Sequence, residues 1–390
     1  SAAEIAQWGQ EDSEFIAALL KACDPNPDLR PQSANEFIEL LHRTVPKNVS
    51  DLPDKRERKT NPFAQQVRGL YVQSKAGTPN ALGLASQFAL DTYIPTKLDT
   101  ELMPAILQKK IRVAFLTGNP GDGKTAFLQM VERGLCADGG QRQDLAIGDA
   151  ESGWEITRQG HRFLAVYDAS EGYKETSADS IVSYALQESL KENVTALLAI
   201  NDGRLHQFFD EHEEQFEEYS ESIRNFFATG TTGNAQFVVV DLKGRSVVDS
   251  SDRGLASDMI DSVTNSANWD ICNSCVFETV CPINKNRQQL AGPAKKAVLE
   301  MLRVSHLRRL KRRTLRQIRS TMGWLISGDL GCEDIAEVAS ANRSEEYSLD
   351  RLIFDKRTTD QLIHEWSELD PGEIVSPEAS AIVRQSFSKD

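Results

Sequence analysis

Hydrophobic positions along the chain follow two rhythms. Short apolar runs recur at residues 111–116, 163–167, 196–200 and 237–240. Runs of this length between polar turns read as strands buried on both faces. Between them, over residues 126–135, 176–191 and 204–228, apolar side chains return every three to four positions, as on one face of a helix. This alternation predicts an α/β fold with a mostly parallel sheet flanked by helices. Counted from residues 111–116, the four runs are strands one to four. Towards the C-terminus only the helical rhythm continues. In "RLKRRTLRQIRSTMGWLISGD", Thr314 precedes Gln317 by three positions, the capping-box spacing, so one helix should end near Arg313 and another start at Leu315. Leu315, Ile318, Met322 and Leu325 fall on one face of that second helix. "EVASANRSEEYSLDRLIFDKRTTDQLIHEW" reads as interrupted helix before a polar tail.

The first strand runs directly into Gly118-Asn119-Pro120-Gly121-Asp122-Gly123-Lys124-Thr125-Ala126. The first eight residues satisfy G-x-x-x-x-G-K-[ST]. Glycines allow backbone N–H groups to turn inward without Cβ clashes, and the following helix adds the partial positive charge of its N-terminus. Lys124 would reach the β/γ-phosphates and the Thr125 hydroxyl would ligate Mg²⁺, so the pattern implies an ATP/ADP site.

The stretch resembles P-loop ATPases of the AAA+ or STAND-like type. In that family the third strand ends in Asp-Glu, the Asp holding magnesium through water and the Glu polarising the attacking water. Here Asn201-Asp202 stands at that place, and Asp202 is one carbon shorter than Glu, which implies either slow hydrolysis or nucleotide binding without efficient turnover. The competing assignment puts Asp168, after residues 163–167, on magnesium, with Asn201 sensing the γ-phosphate. Strand counting favours Asp202; side-chain identity favours Asp168. The resemblance also implies a C-terminal helical lid presenting an arginine to the γ-phosphate, here Arg316 or Arg319, and a homo-oligomer in which Arg245 could reach a neighbouring nucleotide.

Charge adds two features. The 390 residues are 40% hydrophobic, enough for a large core, and carry a formal net charge of −14, so the surface as a whole should repel nucleic acid and anionic lipid. Residues 303–319 reverse this locally: eight of seventeen are Lys or Arg, with no acid among them. They read either as a phosphate-tracking nucleic-acid surface or as the counterpart of the acidic residues 210–221; the absence of interleaved aromatics favours the second.

Cys272, Cys275 and Cys281 lie within "WDICNSCVFETVCPIN". C-x₂-C followed by a third cysteine supplies three corners of a metal site, with Cys332 the preferred fourth donor and His306 the alternative. Zinc is the default metal, and the Cys281-Pro282 pair makes an iron–sulfur cluster the runner-up. Clustered rather than ladder-like cysteines fit a reducing cytoplasm, and no run approaches the roughly 18 apolar residues of a membrane span.

"FIAALLKACDPNPDLRPQSANEFIELLHR" resembles the end of the C-terminal lobe of a eukaryotic-like Ser/Thr protein kinase, where an arginine in the position of Arg30 pairs with a buried glutamate. The expected organisation is a kinase-lobe remnant over 1–46, a linker and docking segment over 47–110, and a P-loop ATPase core over 111–292 with a Cys-rich insertion at 269–286. The helical lid and tail follow over 293–390. Residues 45–62 should be exposed, and residues 92–110 should dock beside the adenine. The chain is thus expected to be a piece of a bacterial kinase–ATPase fusion, an ATP-hydrolysing module controlling lid, oligomer or attached kinase. The alternative is a nucleotide-gated nucleic-acid module of an anti-phage defence or DNA-transaction system.

Overall fold

The computed structural model describes residues 58–75, 84, 86–148, 150–247, 254–309 and 312–370, with residues 21, 26, 30 and 31 singly. Almost all of the kinase-like segment, most of the linker and the polar tail therefore lie outside the described residues, while Arg30 itself is described and exposed. No helix among those described is long and apolar enough to cross a membrane.

Residues 57–390 form one compact unit built on a six-stranded sheet: β1 (Val113–Thr117), β2 (Gln141–Ile147), β3 (Ala150–Arg158), β4 (His161–Val166), β5 (Val194–Ile200) and β6 (Phe237–Asp241), in the order β2-β3-β4-β5-β1-β6. β4, β5, β1 and β6 are parallel neighbours, while β2–β3 and β3–β4 are antiparallel. In register, Phe115 faces Leu198 and Val239 across β1, and Leu198 in turn faces Val166. Every residue of β1 and β5 is buried, as central parallel strands require.

The strand count needs correction. β2 and β3 lie between the glycine loop and β4, so residues 194–200 form the fifth strand, not the third. β2 is an edge strand exposed at its first four positions, and so has no apolar run to betray it. β3 is buried from Ser152 to Ile156, with Trp154 and Ile156 its large apolar side chains, and joins β4 through Gln159 and Gly160. Both have positive φ, 49° and 71°, as a two-residue type I′ hairpin needs.

Among the described residues, eight helices of ten or more residues are present: α1 (Lys124–Ala137), α2 (Ala178–Ser189), α3 (Asp202–Glu211), α4 (Glu217–Thr229), α5 (Leu255–Thr264), α6 (Pro282–Ala291), α7 (Lys295–Arg309) and α8 (Leu315–Ser327). α1 covers one face of the sheet together with the helical turns Leu98–Leu102 and Met103–Leu107. α2, α3 and α4 cover the other. The single helix read over 204–228 is two helices, broken around His212. The break lets Phe208 and Phe216 turn inward together, ring centroids 5.7 Å apart.

A second core gathers Val67 and Phe88 with residues of α5, α6, α7, α8 and the short helix Gln361–Ser367. The two cores divide between Leu242 and Val247, not at residue 292, so the cysteine-rich segment packs with the helices that follow it. α8 starts as its sequence predicts: the Thr314 side chain accepts from the Gln317 backbone and the Gln317 side chain accepts from the Thr314 backbone. The expected exposed linker ends earlier than residue 62, because Asn61 is 2% exposed and caps the helix Pro62–Arg68 by accepting from Phe63 N at 2.9 Å.

Candidate functional site

β1 delivers the chain to the C-terminal edge of the parallel strands, the edge at which open α/β sheets bind ligands. There the glycine loop turns through three positive-φ residues, Gly118 (143°), Gly121 (92°) and Gly123 (94°), before α1 begins at Lys124. A Cβ at Gly121 would lie 2.8 Å from the Arg316 Cβ, so this position needs glycine for both its backbone angle and its close neighbour. Asn119 and Pro120 are exposed, whereas Gly121, Gly123, Lys124, Thr125 and Ala126 are half-buried.

Lys124 Nζ donates to the carbonyls of Gly118, at 2.7 Å, and Asn119, at 3.2 Å. Burial pulls its pKa below the ordinary lysine value, the carboxylates of Asp122 and Asp168 oppose that shift, and Arg316 adds to it. Asp122 is the loop's internal strut. Its carboxylate accepts from Asn119 N and from Arg312 Nη1, each at 2.8 Å, and its Oδ1 is buried with no hydrogen-bond partner among the described residues.

Three arginines from beyond β6 close on this loop. Arg312 links Asp122 to the Leu242 carbonyl, 2.6 Å away. The Arg316 backbone N–H donates to Gly121 O at 3.2 Å. Arg245 donates to the Asp122 carbonyl, and burial lowers its pKa from the ordinary arginine value. Arg245 thus contacts its own chain's loop, where the sequence had it reaching a neighbour. Arg319 does not reach the loop: its guanidinium donates to Thr92 Oγ1 at 2.8 Å. Arg312 was missed in the sequence; only its membership of the basic run could have flagged it.

The two candidate carboxylates part company. Asp168 follows β4, is exposed, and accepts from Ser170 N at 2.8 Å, while Ser170 Oγ accepts from Asn201 N at 2.8 Å. Asp168 and Asn201 therefore share the sheet edge beside the loop. Asn201 Oδ1 caps α3 by accepting from Arg204 N at 2.8 Å. Asp202, the first residue of α3, is ion-paired with Lys243 after β6, and lines a groove of about 490 Å³ with His206 and Phe227.

The basic run is internally engaged. Arg303 pairs with Glu300 and Arg308 with Glu368; Arg312 pairs with Asp122, and the fully buried Arg313 with Glu365. The expected intrachain match with residues 210–221 is not formed among the described residues: Glu213 pairs with Arg224 and Asp210 with His206.

Cys272, Cys275 and Cys281 pack against the helical core that contains Cys332, and Cys332 acts electrostatically with all three. Burial raises the thiol pKa of Cys272 and Cys332 and pushes that of Cys281 up to about 12. Zn–S bonds of about 2.3 Å would set four sulfurs about 3.8 Å apart. No three of these sulfurs lie within 4.8 Å of one another: among the described residues only Asp179, Glu211 and His212 meet that spacing, and Asp179 is already paired with Arg204.

No family model matches the sequence, and neither curated proteins nor solved structures provide a match.

Proposed function

We propose that the chain binds ATP with magnesium at the loop of residues 118–125, hydrolyses it, and passes the state of that loop to the helical layer. The observation that carries this reading is the loop itself: three positive-φ glycines between a central parallel strand and a helix that begins at Lys124. In this reading Lys124 leaves the Gly118 and Asn119 carbonyls for the β/γ-phosphates. Magnesium, held by Thr125 and an aspartate, would neutralise charge developing on the transferred phosphoryl group. Asp168 suits that role better than Asp202, because it acts electrostatically on Lys124 while Asp202 is engaged by Lys243. Asn201 then sits where it can sense the γ-phosphate.

Coupling to the helices would run through Arg312, Arg316 and Arg245, which contact Asp122 and Gly121. The helical layer serves as the lid in this scheme, and its movement would control oligomerisation or an attached kinase. The nucleic-acid alternative is less well supported, since the guanidinium groups of Arg303, Arg308, Arg312, Arg313 and Arg319 each have an intrachain partner. The test is calorimetric titration with ATP and ADP in magnesium beside steady-state turnover. Binding that disappears in Lys124→Ala supports the reading, and wild-type indifference to both nucleotides removes it.

A further inference from the structure

Four cysteines from two distant segments share one core, and one asparagine from a third segment joins them. Cys272 and Cys275 form a tight turn in which Cys275 N donates to Cys272 O at 3.1 Å. Cys281 is the N-cap of α6, with Pro282 at the first helical position. That places its sulfur at the positive end of a ten-residue helix. Cys332 approaches from beyond α8 and is 9% exposed. Asn61, 2% exposed, donates its side-chain amide to the Cys272 sulfur at 3.3 Å and to the Asn268 carbonyl at 3.1 Å. Its own Oδ1 is taken by the backbone N–H of Phe63 and Ala64, which fixes the amide's direction. Trp269 and Phe277, both fully buried, pack in the same core.

We infer that Cys272, Cys275, Cys281 and Cys332 hold a four-iron–four-sulfur cluster, with Asn61 donating a hydrogen bond to the Cys272 sulfur. The spacing of the sulfurs selects the cofactor. A single zinc ion needs all four within about 4 Å of one another, and here no three lie within 4.8 Å. In a four-iron cluster each thiolate binds a different iron, so the sulfurs stand apart at the corners of a larger body. In such a cluster an N–H donor on a ligand sulfur and a dry apolar wall set the reduction potential. Arg287, stacked over Trp269 at 5.7 Å and 8% exposed, supplies a cation beside a centre of net negative charge. The centre would staple the segment that starts at Lys59 to the cysteine turn and to the residues after α8.

The test is expression of the full chain and purification without oxygen, with iron, acid-labile sulfide and zinc assayed on one sample. About four irons and four sulfides per chain are expected, with a broad visible absorption that dithionite bleaches. One zinc per chain without sulfide overturns the assignment, and so does a chain free of both metals. Cys136→Ser, at an exposed cysteine outside the set, should leave the iron content unchanged. Asn61→Asp retains an oxygen to cap Phe63 while losing the amide donor to Cys272. Its iron content should stay within a fifth or so of wild type while the reduction potential moves negative. An unchanged potential in the iron-loaded variant overturns the role given to Asn61.

Discussion

The sheet layer and the helical layer solve the problem of burial differently. The sheet's two cores are drawn from one continuous stretch, Leu98 to Leu242, and its central strands β1 and β5 are buried along their whole length. The helical core draws on Ala64 to Phe88 as well as Val247 to Trp366, and is tied together by buried charge. Arg68 meets Asp329 at 3.2 Å and Glu333 at 2.8 Å, and Arg313 meets Glu365 with both side chains largely buried. The sheet therefore decides where the glycine loop sits, and the helical layer decides what the loop touches. Between them stands Arg312, which belongs to the helical side and holds a carboxylate of the loop.

The largest effect should come from breaking the sheet layer's function without its fold. Lys124→Ala is expected to lower ATP turnover at least about 100-fold while thermal unfolding stays near wild type; an unchanged turnover number would remove the loop from the chemistry. The counterpart breaks the helical fold without touching the loop. Trp269 is fully buried, packs edge-on to Phe63 and donates to Val263 O at 3.0 Å. Trp269→Ala should cost about 3–5 kcal/mol, read by urea unfolding. If the layers are energetically separable, calorimetry on this variant will resolve a low-temperature transition that nucleotide does not shift.

Arg312→Ala tests the joint between them. It leaves the fully buried Asp122 carboxylate without its cation, an arrangement that costs about 3 kcal/mol, and the double variant Arg312→Ala with Asp122→Asn should recover part of that loss. Failure of the second change to restore any stability would show that the pair does not join the layers. A sharper comparison lies at the sheet edge. Asp168→Ala should reduce turnover by about tenfold or more relative to Asp202→Ala, while both bind nucleotide; the reverse ranking would return the magnesium role to Asp202.

The smallest effect concerns pH. His161 is 8% exposed, shares a hydrogen bond with Thr195 Oγ1 at 2.9 Å, and has a pKa lowered first by burial and then by Lys109 and Arg158. Its unfolded form, with pKa about 6.5, binds protons more readily than the folded one, so stability should fall as pH drops through and below that value. Denaturant midpoints from pH 7.5 to 5.5 should flatten in His161→Gln. Parallel curves would assign the acid sensitivity to other groups.

Legibility in the sequence followed the range of the contacts. The glycine loop, the strand before it and the helix after it were readable because each depends on neighbours a few residues away, as did the Thr314–Gln317 capping box. β2 escaped notice because an exposed edge strand has no apolar run, and β3 because it buries polar Ser152 and Glu155 beside Trp154 and Ile156. That omission undid the strand count on which Asp202 rested. Arg316 and Arg319 carry the same charge three positions apart, yet one backbone meets Gly121 and the other side chain meets Thr92. Nothing in residue type separates them.

The sequence by itself determined the alternation of strand and helix, the phosphate-loop pattern and the clustering of three cysteines, because backbone preference and hydrophobic period are local properties. The tertiary structure alone decided that Arg312 reaches Asp122 across 190 residues and that Asn61 reaches Cys272 across 211. It also decided that the Asp168 carboxylate acts on Lys124 while Asp202 pairs with Lys243. The first depends on how the helical core is pressed against the sheet and the others on how distant segments fold within one layer, and the free energy that selects them is spread over many apolar contacts rather than carried by the residues that finally meet.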